Sequence, residues 1–289
     1  MNKMNIWIFL FACFVFTKGT AQTIPFQSGR IIISSDGNEH DHDDWSATSL
    51  SLALLAARGL QDKLVVYTFS NHLWGSNHDH PDALEEMRIS AIEGGRRFGF
   101  HKTRFIEAVT YPDSAVSAIV SEINKSTTKD PLTIIEAGPM ELVGRALSAA
   151  DETKLKHVRL ISHSRWNDNH ASRPARKWED HDGWTWEQIE ASFTPKGLTC
   201  DHIRDQNGGQ DYTGMRAPFA AYEWLKDDNL QSYTMYQNGN QEWLIGRIEK
   251  CRKQGEYDPS DAGMIVYLLT GIIKTNPEDA ENILTSPVE

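Results

Sequence analysis

Arg30-Ile31-Ile32-Ile33-Ser34-Ser35-Asp36-Gly37-Asn38-Glu39-His40-Asp41-His42-Asp43-Asp44-Trp45 sets the reading of the whole chain. The run 30–35 is short, apolar and rich in isoleucine, as in a strand buried on both faces of a parallel sheet. The Leu- and Ala-rich run 46–58 behind it reads as a helix. Between them stand five carboxylates in nine residues: Asp36, Glu39, Asp41, Asp43 and Asp44. At a strand end such a group repels itself unless a cation or protons intervene. A solvated acidic loop has the same composition but not two apolar flanks. Short-spaced carboxylate oxygens suit a hard cation such as Ca²⁺.

Beyond this stretch, strand-like runs at 63–69, 104–109, 132–136 and 157–162 alternate with helical patterns at 82–98, 112–123 and 140–150. The alternation predicts a single α/β domain, its sheet mainly parallel with helices on both faces. Ligands of such sheets lie beyond the carboxyl ends of the strands, so the residues there carry the functional reading. Residues 163–214 are rich in Trp, Asn, Asp, Gly and His without clear period, the composition of a functional loop or lid. Helical patterns return at 215–226, 241–253 and 261–273.

The first residues belong to a different kind of segment. Lys3 precedes the apolar run 6–16, and Gly19-Thr20-Ala21 offers small residues for cleavage. This reads as a signal peptide, 1–21, ahead of a domain at 22–289 that is secreted or periplasmic. The apolar run is well short of the ~20 residues that span a bilayer. Removing Lys3 and Lys18 with the leader leaves 27 basic and 40 acidic residues, a net charge of −13. That balance argues against nucleic acid and against a membrane surface after cleavage, since both require a basic face. It leaves a homo-oligomer open. Cys200 and Cys251 remain after cleavage, either as a disulfide or as two buried thiols.

Several segments, taken in order, resemble the nucleoside hydrolase superfamily. Asp43-Asp44 ahead of an Ala/Leu-rich helix is similar to the end of that family's D-x-D-x-x-x-D-D motif. Direct counting puts Gly37 and Glu39 at its first two aspartates, and a one-residue insertion restores Asp36 to the strand-end role. Thr68-Phe69-Ser70-Asn71 resembles the family's Gly-Asn, and Glu136-Ala137-Gly138-Pro139-Met140-Glu141-Leu142 its Gly-Pro-Leu-Thr helix start. Asp258-Pro259-Ser260-Asp261 is similar to its late His-Asp. The resemblance spans roughly 31–273 and looks closer to a divergent bacterial branch of nucleoside-hydrolase-like domains often labelled cellulose-binding. It implies a nucleoside-hydrolase-like, Rossmann-like sheet and a Ca²⁺ held by Asp36, Asp44, Asp261 and the Ala137 carbonyl. It further implies that a carboxylate, Asp36 or Glu39, takes a proton from a water activated beside the ion, and that Asp43 and Asn71 bind sugar hydroxyls. The family's histidine before the last aspartate is Ser260 here, so its leaving-group acid is missing from that position.

Replacement acids are sought among His78, His80 and His163, which follow strands two and five; His101, His157 and His202 read as surface or packing residues. Trp166, Trp178, Trp184 and Trp186 crowd one polar segment. Core packing is the ordinary role of tryptophan, and a stacking wall for a sugar or base is the functional one. The resulting expectation is a calcium-dependent hydrolase of an N- or O-glycosidic bond, acting on a small sugar, glycoside or oligosaccharide. Two rivals use the same residues. His40-x-His42-x-Asp44 nearly matches a zinc-hydrolase motif but ends in Trp45, and an inert metal site would make the chain a secreted carbohydrate-binding protein.

Overall fold

The computed structural model describes residues 25–38, 42–73, 82–170, 183–208 and 214–288. Glu39, His78, His80, Trp178 and the leader at 1–21 lie outside the described residues. The chain runs β1 (Arg30–Ser35), α1 (Asp43–Ala57), β2 (Leu64–Phe69), α2 (Ala83–Arg88), α3 (Gly94–Arg97), β3 (Arg104–Glu107), α4 (Pro112–Asn124), β4 (Leu132–Ala137), α5 (Glu141–Ala149) and β5 (Val158–Ser162). It continues through α6 (Arg165–Asn169), α7 (Trp186–Phe193) and β6 (Thr199–His202).

These six strands form one sheet in the order β3-β2-β1-β4-β5-β6, every pairing parallel. The chain leaves β1 for β2 on one side and β4 for β5 on the other, so the connections diverge between β1 and β4. A crevice opens at the carboxyl end of such a reversal. The α/β, Rossmann-like class read from the sequence is the class observed.

Alternation along each strand divides the interior into two layers. Ile31, Ile33, Tyr67, Phe69, Ile135 and Ile161 face one core with α1. Ile32, Val66, Ile134 and Leu160 face the other, with apolar residues of α4, α5 and α7. Helix α1 is buried at every position from Asp44 to Ala57, because it lies between the sheet and a further helical layer. That explains its sequence, which is Leu, Ala and Ser all round and has no charged residue after Asp44. Its small polar residues are satisfied internally: Ser46 Oγ donates to the Arg247 carbonyl, Ser49 Oγ to the Trp45 carbonyl, and Tyr67 Oη to Thr48 Oγ1.

The rest departs from the sequence reading in identifiable ways. The helix expected at 82–98 is interrupted by a π-helical turn at Ile89–Glu93. The irregular segment 163–214 contains α6, α7 and β6. Residues 215–226 are β7 (Ala217–Pro218) and a 3₁₀ helix at Phe219–Lys226. The pattern at 241–253 is α8 (Asn240–Ile248), a 3₁₀ turn and β8 (Arg252–Lys253), which pairs antiparallel with β9 (Glu256–Tyr257). Helix α9 (Ala262–Thr270) stops at Gly271, short of the expected 273. Helix α10 (Pro277–Leu284) was not expected, although Asn276 and Asp279 form a capping box with Pro277 at the first position.

Candidate metal centre

Asp36 is the residue after β1, and Asp44 lies in the first turn of α1. Gly37 between them has φ +79°, and a Cβ there would lie 2.8 Å from Asp44 Cβ and 2.9 Å from Met87 Sδ. Only glycine allows so close a reversal. Trp45 Nε1 donates to the Gly37 carbonyl at 2.7 Å and pins the turn. Asp261, the residue before α9, arrives from the far end of the chain. Among the described residues, Asp36, Asp44 and Asp261 bring carboxylate oxygens within 4.8 Å of one another. That is well inside the ~10 Å beyond which one ion could not serve Asp44 and Asp261 together. Asp36 and Asp44 are 4% and 3% exposed, so water does little to screen them.

The electrostatics call for positive charge. Burial, then Asp36, Asp261 and Asp43, raise Asp44 well above the usual carboxylate range. Burial would also raise Asp261, but the hydrogen bond from His163 outweighs it and holds that carboxyl low. His163 Nε2 lies 2.5 Å from Asp261 Oδ1, while its Nδ1 accepts from the Gln206 amide at 3.1 Å. Burial disfavours a charged ring here, yet Asp205 and Asp261 push it up to about 9. A second proton on Nδ1 would collide with the Gln206 N–H. The hydrogen bonds therefore describe a neutral ring with its proton on Nε2, and the upward pull reflects an excess of negative charge around it. Three carboxylates converging in this way form an oxygen donor set that could hold a metal ion.

The carboxylates open into a cavity of about 320 Å³. One wall comes from the segment after β5. Ser164 sits at φ +74°, ψ 128°, a strained conformation for serine, and its Oγ accepts from the Trp166 amide at 3.2 Å. This kink turns α6 so that Trp166 and Asn167 line the cavity. Asn167 is 6% exposed, and its side chain has no hydrogen-bond partner among the described residues. The opposite wall includes Asn207, held by Asp205 Oδ1 at 2.9 Å and by Ser260 Oγ at 3.2 Å. Asp43 completes the rim, with Lys253 Nζ 3.7 Å from its Oδ1 and 3.7 Å from Asp258 Oδ2.

Asp36, Asp43, Asp44, His163, Trp166 and Asp261 thus share one cavity. Other expected residues stand elsewhere. Asn71, assigned to sugar hydroxyls, is fully buried beneath the crevice, its Nδ2 donating to Ser34 Oγ and Glu136 Oε1 at 2.7 and 2.6 Å. Gly138 makes room for it, since a Cβ there would lie 2.4 Å from Asn71 Oδ1. The Ala137 carbonyl, assigned to the metal, accepts from the Asp36 amide at 3.1 Å and extends the β1–β4 ladder. His163, assigned as an acid, has both ring nitrogens engaged. Trp184 and Trp186 pack into the α5–α7 layer: Trp184 lies over Gly144 and 5.3 Å from Phe193, and Trp186 is 7% exposed. Among the described residues, neither lines the cavity. Cys200 and Cys251 are free thiols. Asn167, Asn207 and Lys253 were not foreseen; the signal for Asn167 was its place two residues from Trp166, just past a strand end.

Fold and site together define a Rossmann-like α/β protein with a buried tri-aspartate centre at the reversal of its sheet. By sequence the chain is 33% identical to Uncharacterized protein P22 of Formosa agariphila over 266 residues, covering 87% of this chain and 88% of that protein. It belongs to the same family as that protein. No family model matches the chain.

Proposed function

We propose that the protein is a calcium-dependent hydrolase of a glycosidic bond in a small sugar, glycoside or oligosaccharide, related to the nucleoside hydrolases. The observation that carries this reading is the convergence of Asp36, Asp44 and Asp261 at the floor of a cavity walled by Trp166 and Asn167. The aspartates would hold the ion; when bound, Ca²⁺ supplies Lewis acidity that makes a water easier to deprotonate. Asp36 or Glu39 would accept that proton, and Asp43, at the rim of the same cavity, is a further candidate. The clustered carboxylates also stabilise positive charge developing on a sugar ring. Trp166 would offer an aromatic face to the ring, and Asn167, which lines the same cavity, would bring its amide to hydroxyl groups. An export signal would place this activity in the periplasm or outside the cell.

His163, the histidine that lines the cavity, has both ring nitrogens engaged, and Ser260 supplies no acid in place of the family's histidine. Bonds whose leaving groups depart without protonation should therefore be cleaved best. The same observation favours a second reading, a carbohydrate-binding protein with a silent metal site. Purified protein with Ca²⁺, inosine, uridine, aryl glycosides and oligosaccharides, assayed for released reducing sugar, separates the two. Release that disappears in Asp44→Asn supports hydrolysis. Glycan binding without release under any condition supports the binding protein.

A further inference from the structure

We infer that His163 is a positioning residue that selects which oxygen of Asp261 faces the cation. The inference rests on the metal reading above and concerns how this chain aims a ligand. The ring is fully buried at the carboxyl end of β5, with the Gln206 amide against Nδ1 and Asp261 Oδ1 against Nε2. Because Nδ1 accepts, Nε2 carries the proton and donates it to Oδ1. That bond fixes the rotation of the carboxylate and makes Oδ2 the less engaged oxygen, the one for an ion shared with Asp36 and Asp44.

What holds the histidine is itself held. Gln206 is completely buried, its Nε2 donating to the Arg204 carbonyl at 2.6 Å and the Ile273 carbonyl at 3.4 Å. Its Oε1 accepts from Thr275 Oγ1. A Cβ on Gly263 would lie 2.3 Å from Oε1, so the Gln206 side chain rests on the first turn of α9, two residues from Asp261. The segment that fixes the imidazole is thus clamped to the helix that presents the carboxylate. Asp261 faces the acidic Asp44 and Asp36 on its other side, and without a donor behind it repulsion would turn it away. A donor behind a ligating carboxylate belongs to the outer shell that orients metal ligands, where a lost contact lowers affinity roughly 10–100-fold.

The test compares His163→Gln, whose amide nitrogen can reach the place of Nε2, with His163→Asn, which is too short, and His163→Leu, which has no donor. Each is titrated calorimetrically with CaCl₂ alone and melted in EGTA. Expected is near wild-type affinity for Gln and a loss of roughly 10–100-fold for Asn and Leu, with the Gln and Asn variants melting alike in EGTA. Equal calcium affinity in all three variants and wild type overturns the positioning role while leaving the metal centre standing. A wild-type protein that binds no calcium overturns the metal reading itself. If Leu fails to fold, the Gln–Asn contrast decides alone, and equal affinities in that pair count against the proposal.

Discussion

Asp44 faces Asp36, Asp43 and Asp261 from a fully buried position, and its proton is the readiest measure of what the site lacks. In ion-free protein its folded pKa stands well above the unfolded value of 3.8. The stability this provides is complete below the unfolded pKa and is lost as pH rises through the folded one. Ion-free protein should therefore weaken as pH is raised from about 4, while calcium, which must displace that proton, should bind more tightly over the same window. Urea melts in EGTA across pH, and calcium titrations in two buffers of different ionisation enthalpy, read both trends; calcium affinity that ignores pH would remove Asp44 from the ligand set. In Asp44→Asn both trends should flatten and calcium binding should fall at least ~100-fold, since a charged ligand is gone. The three aspartates were legible because carboxylates at strand ends and helix starts are few and costly. The inward turn of Asn71 onto Ser34 and Glu136 was not legible, because sequence places a residue at a strand end without telling which way its side chain turns. Asn167 and Asn207 were hidden, since asparagines in irregular segments are common and mostly solvated.

Elements show the same division between what period reveals and what packing decides. Strands β1, β2, β4 and β5 and helix α1 were legible because burial on both faces writes long apolar runs, whereas α4 and α5 showed through the apolar period of one buried face. β6 was not: its four residues, Thr-Cys-Asp-His, form an edge strand exposed at both ends, which leaves no apolar pattern to read. Nor was α7, whose start rests on Thr185 and Gln188 in a capping box among polar neighbours. The tryptophans follow from these elements. Trp184 closes the joint between α5 and α7, its amide donating to Glu141 Oε2 at 2.8 Å and its ring lying over Gly144. Trp184→Ala should destabilise the protein by about 3 kcal/mol through the cavity it leaves, while calcium affinity stays unchanged. Chemical denaturation beside calorimetry checks the pair of outcomes. Weakened sugar binding at unaltered stability would return Trp184 to the substrate wall.

At the scale of the molecule, α1 joins everything: it lies on the sheet, carries Asp44, and touches α8, α9 and α10. An ion bridging β1, α1 and α9 should therefore stabilise the domain as a unit rather than a local loop. At calcium one hundred times its Kd the gain is about 2.7 kcal/mol, or roughly 5–10 °C in Tm for a domain of this size. Scanning calorimetry with CaCl₂ and then EGTA reads the shift. One transition that moves whole is expected; a calcium-sensitive step separate from the main melt would contradict the shared core.

The tri-aspartate centre also has a history written into its geometry. Arg30 pairs with Leu132 across the β1–β4 seam, and the last carboxylate waits until position 261. Contacts so distant along the chain are slow to form, because closing long loops costs entropy before any contact rewards it. A nascent chain can assemble the first turn of α1 early, yet it holds only two of the three aspartates until nearly all of it has been made. Calcium would then have little hold on the folding intermediates and a firm one on the finished molecule. Its effect should appear almost entirely as slower unfolding, with the refolding rate scarcely changed.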